Sequence, residues 1–164
     1  MVDFQYIDGL IDDANEAEIK ANSKLRFSRF STEAELATAI ELCASNLSEP
    51  YSIYTFRYFI SQWPEYFYIA RIEKEFVGVI ISKFEQRSSR SASLAFGKPI
   101  INRGYIAMLV VDKKYRKMRI ASKLVRLSIE AMKHGGADEI VLETDSQNQS
   151  ALNLYHSFGF LIDK

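Results

Sequence analysis

Two hydrophobic periods take turns along the chain, and their order predicts the fold. "KLRFSRF" (24–30) largely alternates apolar and polar positions and reads as a first strand. "STEAELATAIELCASNL" (31–47) switches to a helical period, with Leu36, Ile40 and Cys43 forming one stripe. Ser31 or Thr32 is its expected cap, and Glu33 and Glu35 suit the positive end of the helix dipole. Pro50 then separates it from "YSIYTFRYFISQW" (51–63), where Ile53, Phe56 and Ile60 recur at helical intervals. "EYFYIARI" (65–72) and "EFVGVIISKF" (75–84) predict two strands joined by a short charged turn. The basic, Ser-rich stretch at 86–103 reads as a loop.

"GYIAMLVVD" (104–112) predicts a further strand, and "RIASKLVRLSIEAMKHG" (119–135) is the clearest helix. Ile120, Leu124, Leu127 and Ala131 lie along its apolar face, and Gly135 and Gly136 are its stop signals. "DEIVLET" (138–144) is a strand. "NQSALNLYHSFGF" (148–160) is a short helix capped near Asn148 with a turn at Gly159, and "FLIDK" (160–164) begins a last strand. The predicted order β-α-α-β-β-β-α-β-α-β contains strand–helix–strand units at 104–144 and 138–163. It points to a mixed α/β domain, a sheet covered by helices, over residues 23–164. Residues 1–22 differ in composition, with Asp3, Asp8, Asp12, Asp13, Glu16 and Glu18 against Lys20. They read as an acidic N-terminal extension, either a loose tail or a short docking helix.

Composition narrows the function classes. The chain has 164 residues, 48% hydrophobic, which suits one domain with a substantial core. Lys and Arg number 21, as do Asp and Glu, so no net charge favours a nucleic acid or a membrane surface. The single cysteine, Cys43, rules out an internal disulfide and a thiolate zinc cluster. Its apolar helical setting suits a buried thiol rather than a nucleophile. The N-terminus has no secretion-signal pattern, and no apolar run is long enough to span a membrane, so a soluble cytoplasmic protein is expected.

Two constellations carry candidate chemistry. Arg116, Lys117, Arg119 and Lys123 surround the expected start of the clearest helix. They read either as a solvated basic turn or as an anion site, because helix-start N–H groups and cationic side chains together attract phosphate. Glu143 closes a strand and Tyr155 lies on the next helix. A carboxylate that accepts a proton and a phenol that donates one suit acid–base work at strand ends. The same pair also reads as a strand-edge salt bridge and a packed core tyrosine. His134 and His156 stand alone in the sequence, and no phosphate-loop, dinucleotide or zinc-protease motif occurs.

"LSEPYSIYTFRYFISQWPE" (47–65), "RGYIAMLVVDKKYR" (103–116) and "DEIVLETDSQNQSALNLYHSFGF" (138–160) resemble the GCN5-related N-acetyltransferase superfamily, and within it the catalytic subunits of the N-terminal acetyltransferase NatC. The resemblance implies a central mixed sheet with a splayed strand. It implies acetyl-CoA as cosubstrate and no metal. Backbone groups of Leu109, Val110 and Val111 would meet the pantetheine arm. Arg116, Lys117, Met118, Arg119, Ile120 and Ala121 would cradle the pyrophosphate, and Asn148 would bond the pantetheine region. Glu143 would serve as base and Tyr155 would orient or protonate the leaving sulfur. Glu49, Tyr51 and Tyr105 would recognise the peptide.

The implied reaction is acetylation of the α-amine of proteins starting Met-Leu, Met-Ile, Met-Phe or Met-Trp. Its implied setting is a complex with a large auxiliary subunit and a small third subunit, associated with the ribosome. Two departures stand out. In "RKMRIA" (116–121) Arg119 occupies a position where the family pattern has glycine, and the sequence stops soon after "GFLIDK", where relatives continue into another strand. The second departure predicts an exposed sheet edge and an incomplete peptide pocket. The alternatives are an acetyltransferase for another amine and a nonenzymatic acetyl-CoA-binding or scaffold subunit.

Overall fold

The computed structural model describes residues 2–6, 24–88 and 99–162. The strands are β1 (Val2–Tyr6), β2 (Leu25–Arg29), β3 (Phe67–Ile72), β4 (Glu75–Ser88), β5 (Ile100–Val111), β6 (Glu139–Thr144) and β7 (Phe160–Ile162). The helices are α1 (Glu33–Asn46), α2 (Ile53–Gln62), α3 (Ile120–His134) and α4 (Gln149–Ser157). One mixed sheet runs β2-β3-β4-β5-β6-β1-β7. Its neighbours are antiparallel except for the parallel pair β5–β6, which the α3 crossover joins.

Helices cover both faces. On one face Leu36, Ala39, Leu42 and Cys43 of α1 and Phe56 of α2 pack with Ile69, Val79 and Ile81. On the other, Ile120, Leu124, Val125, Ile129 and Met132 of α3 pack with Val77, Ile80 and Ile140, and Tyr155, Phe158 and Phe160 extend this core. Thr32 caps α1 through a reciprocal box. Its Oγ1 accepts from the Glu35 N–H at 3.4 Å, and a Glu35 carboxylate oxygen accepts from the Thr32 N–H at 3.3 Å. Gly78 lets α3 approach the sheet, since a Cβ there would stand 2.9 Å from Ile120 Cγ2 and 3.3 Å from the Val110 carbonyl.

The predicted element order is present, with two corrections. The described parts of the stretch at 86–103 are mostly strand rather than loop. Residues 86–88 extend β4 and 100–103 begin β5, in register as Gln86↔Asn102 and Arg87↔Ile101; residues 89–98 lie outside the described residues. Charge hides this strand, because Lys83, Glu85 and Arg87 alternate and bridge to one another at 3.1 and 2.6 Å. Residues 2–6 are neither tail nor helix but a strand, and the rest of the acidic segment lies outside the described residues. The apolar–polar alternation of "VDFQY" carried that signal beneath the acidic composition. The exposed sheet edge expected near the C-terminal end is present: β7 ends the sheet and, among the described residues, pairs with β1 alone, while β1 fills the position beside β6.

Candidate active site

The site begins with a fault in β5. Pairing with β4 shifts register between Ile81 and Ser82, so that Ala107 is the extra residue of a bulge. A bulge turns the strand over. Ile106 belongs to the α3-side core, whereas Met108 and Val110 belong to the α1-side core. At the same point the other neighbour departs. β5 pairs with β6 through Arg103, Gly104, Tyr105 and Ile106, opposite Glu139 to Leu142, and the ladder then stops.

Below the fault the two strands are pinned together. Arg103 and Glu139 form a largely buried ion pair, and the Asn102 N–H donates to Asp138 Oδ2 at 2.7 Å. Above it they splay. The Asp112 N–H donates to the Val77 carbonyl at 2.9 Å, which sets the alternation along β5. The backbone groups of Leu109 and Val111 therefore face the split rather than β4.

The split opens into a cavity of about 610 Å³ lined by Ile106, Ala107, Met108 and Leu109 of β5, by Glu143, Thr144 and Asp145, and by Asn148, Ala151 and Tyr155 of α4 and its cap. Leu47, Glu49 and Tyr51 close it from the α1–α2 connection. Six expected site residues thus meet in one place: Glu49, Tyr51, Leu109, Glu143, Asn148 and Tyr155. Glu143 is exposed at the mouth. Tyr155 is buried, its ring packed edge-on to Phe160, and burial pushes its phenol up to about 12. It therefore stays protonated at neutral pH and is a donor. Asn148 Oδ1 accepts from the Ala151 N–H at 3.1 Å, so this side chain also caps α4. Asp145 Oδ1 accepts from the Gln147 N–H at 2.9 Å and holds the turn that delivers α4 to the cavity.

The basic residues lie at the far end of the split. β5 runs into a short 3-10 turn, Lys113–Tyr115, and then into the cap of α3. Lys117 and Arg119 both have positive φ, 64° and 55°, and Arg119 is the left-handed N-cap residue of α3 with no side-chain capping bond. The position at which glycine was expected thus has the backbone geometry that favours glycine, held here by arginine. Such a turn presents successive backbone N–H groups at a helix start, among Arg116, Lys117 and Arg119, all exposed. The site is bipolar. Three carboxylates line the cavity, and cations follow the open strand.

Other expected residues are placed differently. Tyr105 precedes the bulge and is not among the residues lining this cavity; its ring lies 5.4 Å from Lys83 Nζ. Val110 and Ile120 are core residues, Val111 and Met118 pack at the core's margin, and Ala121 is half-buried. Of these, Ile120 and Ala121 offer the turn their backbone N–H groups. Sequence reasoning missed Thr144, Asp145 and the bulge itself. The bulge left no trace in the apolar pattern because both faces of β5 are covered. Cys43 is buried as expected, its thiol pushed up to about 12 by burial and lying 3.2 Å from Met108 Sδ. Among the described residues no cluster could hold a metal ion, and no helix is long and apolar enough to cross a membrane.

The geometry matches a known family. The model described as the acetyltransferase (GNAT) family matches residues 35–160. The chain is 43% identical over 149 residues to N-alpha-acetyltransferase 30 of Mus musculus, covering 91% of this chain and 38% of that protein. It is 44% identical over 120 residues to N-alpha-acetyltransferase 30 of Schizosaccharomyces pombe, covering 73% of each. It spans about two fifths of the length of the mouse relative. Among solved structures, the NatC complex bound to Gag peptide and CoA contains a chain that superposes with a TM-score of 0.75 at 38% identity, covering 86% of this chain and 87% of that one. The Ard1 structure from Thermoplasma volcanium superposes with a TM-score of 0.70 at 20% identity, a likeness of fold.

Proposed function

Because the chain belongs to the acetyltransferase (GNAT) family, we propose that it transfers acetyl from acetyl-CoA to the N-terminal α-amine of proteins beginning with Met and a large apolar residue. The observation that carries this reading is the single cavity at the β5–β6 split, where Glu143, Tyr155, Glu49 and Tyr51 meet beside Leu109. The residues present fit the cosubstrate. The backbone groups of Leu109 and Val111 face the split, as an extended amide-bearing arm requires, and the positive-φ turn before α3 suits a pyrophosphate.

When bound, acetyl-CoA supplies an activated acyl group and a thiolate leaving group. The protein's residues do the rest. Glu49 and Glu143 draw the substrate ammonium to the acidic end, and Tyr51 offers the apolar side chain a partly exposed aromatic wall. A free α-amine titrates near ~7.7–8.0, so Glu143 removes a loosely held proton, directly or through water. Backbone N–H groups near the bulge at Ala107 would stabilise a developing oxyanion. Tyr155, protonated because it is buried, donates to the departing sulfur. No acyl-enzyme is needed, and the buried Cys43 thiol takes no part.

The sequence of "LSEPYSIY" and the similarity to N-alpha-acetyltransferase 30 proteins support the Met-apolar preference over other amines. Exposed Ile53, Tyr54 and Tyr58 on α2, continuous with Tyr51 at the cavity mouth, support a protein partner there. That partner is the large auxiliary subunit of a NatC-type complex, with its small third subunit and ribosome association in the cytoplasm.

The test is acetylation of Met-Leu and Ser-Ala peptides, with the product located by mass spectrometry, with and without auxiliary subunits. Faster α-acetylation of Met-Leu is expected, and Glu143→Gln should lower kcat about 10²–10⁴-fold. Equal rates on all peptides, or acetylation of lysine side chains only, would contradict the reading.

A further inference from the structure

β6 has partners on different sides at different heights. Up to Leu142 it is held by β5. Beyond that point β5 has splayed away, and among the described residues Glu143 and Thr144 are paired through β1 alone, as Asp3↔Glu143 and Val2↔Thr144. β1 is also the strand that joins β7 to the sheet, through Phe4↔Ile162, Gln5↔Leu161 and Tyr6↔Phe160. A strand tip with no neighbour on either side frays, because its N–H and C=O groups turn to water. The same splay that opens the cavity would therefore loosen the residue that must be fixed for catalysis.

We propose that the Val2–Tyr6 strand is a positioning element of the active site, holding the Glu143 backbone in place where β5 has let go and docking β7 beside it. This rests on the reading of Glu143 as the base. It makes the slot between β6 and β7 a strand-acceptance site, filled by main-chain pairing from the chain's own N-terminal region. Connection in cis is feasible. Residues 7–23, at about 3.3 Å each, reach roughly 55 Å. The five strand spacings from β2 to β1 cover about 24 Å.

The first arm of the test needs no catalysis. Amide hydrogen exchange on the unaltered chain should show Val2–Tyr6 and Glu143–Thr144 protected together. Free exchange at residues 2–6 would overturn the proposal. The second arm is Phe4→Pro, which removes a ladder donor from a central strand. It should lower kcat about tenfold or more while the KM for acetyl-CoA changes less than about twofold. In a Glu143→Gln background the same change should have no further effect on kcat, because a positioning strand acts through the residue it positions. A capped peptide with the sequence VDFQY should restore activity to Phe4→Pro. Additive losses, or a parallel loss of acetyl-CoA affinity, would overturn a positioning role in favour of general stability. A dimer whose activity rises with protein concentration would overturn filling in cis in favour of exchange between copies. Protection of residues 2–6 without acetylation of any amine would uphold the strand's place and overturn the reading of Glu143.

Discussion

The two halves of β5 have opposite tasks. From Arg103 to Ile106 the strand is fully engaged, paired with β4 and β6 and clamped by the Arg103–Glu139 ion pair. From Met108 to Val111 it keeps β4 and gives up β6. One half is ordinary sheet interior, where every backbone group is spent on folding. The other holds Leu109 and Val111 groups open to a ligand. A single extra residue, Ala107, separates them and also exchanges which core each side chain enters. The open half is possible because the closed half and the α3 crossover fix the strand from below. The site is thus a controlled failure of pairing within a stable sheet.

The largest way to break this contrast is to delete Ala107. The register would become continuous with Met108 still opposite Ile81 and Ile106 still opposite Ser82, so each side chain keeps its core while the bulge at the β5–β6 split is lost. We expect no measurable acetyl-CoA binding, while urea unfolding changes by no more than about 1 kcal/mol. Next comes Tyr155→Phe, which keeps the packing against Phe160 but removes the donor. It should lower kcat about tenfold to a hundredfold with little change in Tm. Because burial pushes the Tyr155 phenol up to about 12, the unaltered protein should gain rate through the pH range of the substrate amine and show no loss from Tyr155 at pH 8–9. This raised phenol contributes stability that is whole below the unfolded value of about 10 and is lost as pH rises through the folded value.

Gly78→Ala tests the seat of α3. The new methyl would press on Ile120 and Leu124, so a loss of about 1–3 kcal/mol is expected by calorimetry or denaturant unfolding, with weaker acetyl-CoA binding through the displaced turn. The smallest effect belongs to Arg119. At φ 55° it carries left-handed strain, so Arg119→Gly should stabilise by up to about 1 kcal/mol while Arg119→Ala should not. Preserved acetyl-CoA affinity in Arg119→Gly would show that the turn's backbone, rather than this guanidinium, supplies most of the phosphate contact.

Much of this architecture was legible from spacing alone. The helical period of α3 and the two-residue period of β2 and β6 place those elements within a residue or two. Glu143 at a strand end and Tyr155 on the next helix line one cavity. Three features were not legible. The bulge at Ala107 sits in a run that is apolar on both faces, where a shift of one residue leaves no hydropathic mark. The strand at Ile100–Arg103 is masked by Ser-rich and charged neighbours whose compensation appears only across β4. β1 was misread because its five residues were judged with the acidic segment that follows, and its partners are nearly the whole chain away. Short strands of distant pairing are specified by the slot that receives them, and that slot is a tertiary fact.

The most direct measurement is residue-resolved amide exchange along β5 by NMR, in the free protein and with CoA added. The account predicts that the Leu109 and Val111 amides exchange quickly in the free protein and become protected with CoA, while the Gly104–Ile106 segment stays protected throughout. Uniform protection along β5 in the free protein, or no change at Leu109 and Val111 on binding, would contradict the claim that the unzipped half of this strand is the cosubstrate site.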